Sequence, residues 1–164
     1  MSNFVINPNV FGAVSTKLWE QTETGQNEGM RGGDVIIAGE VFETGHVLIG
    51  ATPTKILFNL AKTGTPSGIA ELKLINSSNV EKATFGTIDM DELDDTFATK
   101  TFENSTNTAT IADGDRIAWY YSGDESFQLQ LCSSCAESYT HGSYYISSWV
   151  PRLTRLFTME VWGY

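Results

Sequence analysis

At 164 residues with a formal charge of −10, 41% hydrophobic and 18% charged, the chain suits one domain with one core, neither a disordered acidic tail nor a membrane protein. Ten basic residues scattered among twenty acidic ones form no basic stripe, which argues against nucleic acid as a ligand. No apolar run nears the ~20 residues of a membrane-spanning helix, and MSNFVINPNVFGAV lacks a basic stretch followed by an apolar one, so no signal peptide is expected.

In chain order, STKLWEQT and DVIIAGEVF read as strands joined by a loop from Glu23 to Gly33. KILFNLAK then alternates, with Ile56, Phe58 and Leu60 on one face and Lys55, Leu57 and Asn59 on the other. A Gly/Pro turn, Thr63 to Gly68, leads to AELKLI, where Leu72 and Leu74 oppose Glu71 and Lys73. Asn76 to Asn79 is the next turn, and DMDELDD, Asp89 to Asp95, predicts one short turn of helix at most. Asp113-Gly114 precedes RIAWYY, whose alternation turns Trp119 and Tyr121 inward and Tyr120 outward. Ser122-Gly123-Asp124 separates it from SFQLQL, where Phe127, Leu129 and Leu131 oppose Gln128 and Gln130. LFTMEVWGY reads as the last strand, with Phe157, Met159 and Val161 opposite Thr158, Glu160 and Trp162. About eight half-buried strands punctuated by turns predict an all-β, antiparallel β-sandwich as a single domain, with a barrel as the other closed arrangement.

Several of these segments carry a recurring pattern. An alternating strand leads to Gly64, Pro66 and Gly68; later come Gly114-Asp115-Arg116-Ile117, an aromatic strand ending at Tyr121, then Gly123-Asp124, with SYYISSWV ahead of the last strand. Over roughly residues 47–149 the chain resembles a jelly-roll module of secreted proteins of ammonia-oxidising archaea and related microbes and viruses. The resemblance implies an eight-stranded jelly-roll sandwich similar in shape to carbohydrate-binding modules, and it carries no firm activity. The first 45 residues and the cysteine pair depart from it.

The acids around the aromatic run come next. Asp113 and Asp115 suit strand punctuation: Asp113-Gly114 makes a turn, and Asp115 can accept backbone N–H groups. Ca²⁺ ligation by this pair is the alternative, and a structural Ca²⁺ is the one metal the sequence leaves open. DMDELDD fails the EF-hand pattern, with Asp94 where Gly is needed and Lys100 where Glu is needed. A solvated acidic loop fits it better than a looser calcium cage. Neighbouring turn acids give no sign of a glycosidase pair. Cys132-Ser133-Ser134-Cys135 lacks the further ligands of a zinc site and the helical context of a redox site. A short-loop disulfide under oxidising conditions is the favoured reading, with two thiols next. His46 and His141 lie in no catalytic motif, and no hydrolase elbow, zincin motif or phosphate loop appears, so no enzyme activity is expected.

Aromatic residues are the remaining lead. Sugars stack their C–H faces on exposed rings, and their hydroxyls pair with polar side chains. Tyr120, Tyr144, Tyr145 and Trp149, with Gln128 and Gln130, are the expected ligand-binding residues, although most strand aromatics serve the core. Asn76-Ser77-Ser78 and Asn104-Ser105-Thr106 are sequons expected at turns. The sequence reading is a non-catalytic binding or adhesion module, extracellular or at the cell surface, with glycan as its partner. The alternative is a structural subunit of a virion or surface assembly that packs against copies of itself.

Overall fold

Alternation in the strands becomes a division between two faces. In the computed structural model, which describes residues 14–22, 26–30, 37–121, 123, 127–132, 140–145, 148–152 and 156–164, thirteen strand segments follow one another. They are β1 Thr16–Gln21, β2 Gln26–Met30, β3 Ile37–Phe42, β4 Pro53–Lys62, β5 Ile69–Ile75, β6 Glu81–Asp89 and β7 Ala98–Glu103, then β8 Arg116–Tyr121, β9 Phe127–Cys132, β10 Thr140–Tyr145, β11 Trp149–Arg152, β12 Leu156–Phe157 and β13 Met159–Gly163. The acidic stretch after β6 makes a single 3₁₀ turn, Met90–Glu92. Asp89 caps it by accepting the Asp91 N–H at 3.1 Å, as a short Asp side chain does at such a terminus.

The strands form two antiparallel sheets packed as a β-sandwich. The first has the four-strand core β1-β13-β4-β7, and the second has β3-β8-β5-β6. Of the strands expected from the sequence, β1, β3, β4, β5, β8 and β13 lie in these cores and SFQLQL is β9, whereas β6 and β7 were not expected. β10 and β11 extend the second sheet beyond β3, while β9, β2 and β12 extend the first. Ile56, Phe58 and Leu60 of β4 face Leu72 and Leu74 of β5 and Trp119 of β8 in one buried cluster drawn from both sheets. Each such side chain contributes roughly 1.5–3 kcal/mol on burial. Trp119 stands edge-on to Phe58 and Phe102 at centroid distances of 5.7 and 4.8 Å, joining the two layers.

Two local departures have physical causes. All six residues of β3 are buried: Ala38 and Phe42 join the main core on one face, and on the other Ile37 lies in a second apolar cluster against which Tyr120 and Tyr145 pack. Gly39 is needed there: a Cβ would sit 2.4 Å from the Ile117 carbonyl oxygen. The expected single last strand is broken at Thr158. Up to Asn59, whose N–H donates to the Thr158 carbonyl, β4 runs beside β13; beyond it the two part. β9 then pairs with both arms, Leu129 with Leu60 of β4 and Leu131 with Phe157 of β12. Glu40, fully buried on β3, accepts the Phe157 N–H at 2.9 Å and fixes the second arm. The segment expected to be a loop after β1 contains β2, which pairs with β9 from Gln26–Leu131 to Met30–Phe127.

Candidate functional site

The outer face of the second sheet carries the half-exposed rings. Register aligns Trp149 of β11, Tyr145 of β10, Ile37 of β3, Tyr120 of β8 and Glu71 of β5 in one row across the strands. Ile37, Ala118 and Ile75 form a small buried apolar cluster on this face, and Tyr120 and Tyr145 pack against it. Tyr120 is outward, as alternation predicts, while Trp119 and Tyr121 are buried. The Lys73 ammonium lies 5.1 Å from the Tyr120 ring centroid and pairs with Glu71 at 2.8 Å and Glu81 at 3.1 Å. Burial pushes the Tyr120 phenol above its ordinary value, which the nearby ammonium partly offsets, so at neutral pH it is an O–H donor.

Four residues along β3 and β8, ~13 Å at the usual rise, and two along β10 and β11, the face sinks into a hollow of about 350 Å³ lined by Val41, Glu43, Asp113, Gly114, Arg116, Ser143 and Pro151. That is the low end of the range for small-ligand sites. Arg116 is half-buried and donates from its guanidinium to the Gly114 carbonyl at 3.0 Å. Burial lowers its pKa and the neighbouring Asp115 opposes the shift, leaving it charged at neutral pH. The hollow and the tyrosine row make one surface, with polar groups at one end and rings at the other.

Each expected site residue has a place. Asp115 is almost fully buried; its Oδ2 accepts the Lys82 ammonium at 2.5 Å and the Ala112 N–H at 2.8 Å, and its carbonyl accepts the Phe42 N–H at 3.0 Å. Asp113 is exposed, and its Oδ1 accepts the Thr44 N–H at 2.6 Å. The two acids therefore tie the β7–β8 loop to β3, β6 and the following loop; Gly114 between them takes φ +75°, the left-handed turn position. No group of three or more His, Cys, Asp or Glu placed to hold a metal ion occurs among the described residues. His46 lies in the core against Trp19 and Phe42 and accepts the Leu48 N–H at its Nδ1, 3.2 Å away. Both sequons fall at turns: Asn76 Oδ1 accepts the Ser78 and Val80 N–H groups, and the Asn104 amide donates to Thr84 of β6.

Not all of the expected ligand-binding set comes together. Tyr120, Tyr145 and Trp149 share the second sheet, and Tyr144 stands beside Tyr145, opposite Ala38 and Val150. Gln128 and Gln130 lie on β9 in the first sheet, opposite Gly29 and Asn27. Alternation gives a residue's face but not its sheet. Cys132 ends β9, and Cys135 lies outside the described residues. Arg116, Glu43 and Ser143 were not expected at the site. The Gly114-Asp115-Arg116 run was the available signal for Arg116, since the residue after a turn at a strand start sits at the sheet's rim. On the outer face of the first sheet, Trp162 is half-exposed beneath the Lys55 ammonium, 4.1 Å from its centroid, and donates to Glu160 at 3.0 Å. These contacts account for its position without a ligand.

The fold and this face define a class: a two-sheet antiparallel β-sandwich that displays half-buried aromatic rings on one sheet. Searched against protein-family models, curated proteins and solved structures, the chain gives no significant match to any of them.

Proposed function

We propose that the chain is a non-catalytic binding module for a carbohydrate chain, displayed outside the cell or on a surface particle. The observation that carries this reading is the pair of half-buried tyrosines, Tyr120 and Tyr145, on either side of buried Ile37, in line with a polar hollow. The rings offer apolar faces for pyranose C–H groups, while Ser143, Glu43 and Arg116 offer donors and acceptors for hydroxyls. Glu43 and Asp113 are both solvent-exposed, and the Asp113 carboxylate is held by Thr44; neither has the apolar burial that prepares a general acid. The test is titration calorimetry against soluble polysaccharides with wild-type, Tyr120→Ala and Tyr145→Ala proteins, with reducing-end release measured in parallel. The reading expects binding without release of reducing ends, and a loss of ~10-fold or more in each variant, as for a buried aromatic anchor. Unchanged affinity in both variants would sink it.

A second reading, a subunit of a surface assembly, draws support from four exposed apolar side chains. Val14, Val47, Val80 and Tyr164 all stand at the end of the sandwich where β1 begins, β13 ends and the β3–β4 and β5–β6 connections turn. Under this reading sedimentation velocity shows a discrete oligomer that Val47→Asp disperses.

A further inference from the structure

The charge on the proposed glycan face bears on which carbohydrates it accepts. Two described cations stand there, and both are committed. Lys73 is paired with Glu71 and Glu81, and Arg116 donates to the Gly114 carbonyl while lying next in sequence to the buried carboxylate of Asp115. Glu43 and Asp113 add two exposed carboxylates to the hollow, so among the described residues the face carries four acids, with Glu71 and Glu81, against two bases. The whole chain reinforces this local sign with a formal charge of −10. A uronate or sulfate group entering the hollow would meet like charge from the face and from the molecule behind it. At the tyrosine end it would also have to break the Lys73 ion pairs to find a cation, and in the hollow the Arg116 guanidinium shares the lining with the Glu43 and Asp113 carboxylates. A neutral sugar meets no such repulsion: carboxylate oxygens accept hydroxyl protons, the guanidinium donates to hydroxyl oxygens, and the rings stack on C–H faces.

We infer that the Tyr120–Tyr145 face selects uncharged polysaccharide and rejects chains bearing carboxylate or sulfate groups. The inference rests on the carbohydrate reading and sharpens it by charge class. The experiment pairs neutral probes (mannan, soluble β-glucan and galactan) with acidic ones (polygalacturonate, alginate and a sulfated galactan) in calorimetry at low and high NaCl. The expected result is binding to at least one neutral probe, with affinity changing by less than ~2-fold across the salt range, because no counterions are released. Acidic probes should bind at least ~10-fold more weakly. The double variant Glu43→Gln/Asp113→Asn, its fold checked by near-ultraviolet circular dichroism, should narrow that gap several-fold. If an acidic probe binds more tightly than every neutral one, with affinity falling steeply in salt, the charge inference is overturned and the carbohydrate reading survives. If no probe of either kind binds, both fall together.

Discussion

At the scale of single residues, two acids two positions apart do different work. Asp115 is buried against Lys82 and the Ala112 N–H, whereas Asp113 is exposed and holds only the Thr44 N–H. Asp115→Ala leaves the Lys82 ammonium without its carboxylate and a loop N–H without its acceptor. Urea denaturation should show a loss of about 2–4 kcal/mol, against about 0.5–1 kcal/mol for Asp113→Ala. Comparable losses would mean that the buried ion pair does not anchor the loop. Glu81 gives the pH prediction. Its hydrogen bond from Thr84, and then its pairing with Lys73, hold its carboxyl below the ordinary 4.5. A depressed folded value means that its contribution is complete above 4.5 and fades as pH falls through that folded value. Lys73, raised from 10.5 chiefly by its hydrogen bond to Glu71, loses its share only as pH climbs through its folded value. Because the Glu81 side chain is about half exposed, Glu81→Gln should cost on the order of 0.5 kcal/mol at pH 7 and progressively less as pH falls below 4.5. Thermal melts of both proteins across that range check it.

At the scale of elements, what was legible depended on whether a strand's partners were implied by its own pattern. RIAWYY and KILFNLAK each bury alternate residues against one core, so their period shows in the letters. The sequence QNEGM has no apolar alternation; it is a strand because β9 supplies its hydrogen-bond partners. The break at Thr158 was equally hidden, since LFTMEVWGY alternates throughout. It arises because β9 occupies the place β4 would otherwise take beside Phe157. The buried Glu40 that holds this fork could not be weighed from IAGEVF without knowing what crosses it. The fork makes its own prediction. Glu40→Leu removes the acceptor of the Phe157 N–H and leaves that group buried in an apolar setting. In hydrogen exchange the Phe157 amide should lose protection by ~10-fold or more, while the amides of β5, in the middle of the other sheet, change far less. Uniform loss across both sheets would show that Glu40 supports the whole fold and not this arm alone.

At the scale of the molecule, the candidate face was half legible. Alternation put Tyr120 outside, but only the pairing β11-β10-β3-β8 brings Tyr145 and Trp149 into its row and removes Gln128 and Gln130 to the other sheet. Net charge was legible in full, and it leads to a prediction about the whole chain. Twenty acids against ten bases leave an excess of ten negative charges however the pairs are drawn. In about 0.01 M salt the screening length is ~30 Å, so these charges repel one another across the folded molecule; at 0.15 M it is ~8 Å, and only neighbours interact. Salt also weakens the surface pair of Lys17 with Glu20 and the partly covered pairs of Lys73 with Glu71 and Glu81, but pairs of this kind add little to stability. The Lys82–Asp115 pair, on a buried carboxylate, is screened much less. Relief of repulsion therefore outweighs loss of pairing. The melting temperature at pH 7 should rise by a few degrees between low salt and physiological salt and then level off, because the screening length is by then shorter than most carboxylate separations. A melting temperature that falls over the same range would mean that the ion pairs, and not the excess negative charge, dominate the electrostatics of this fold.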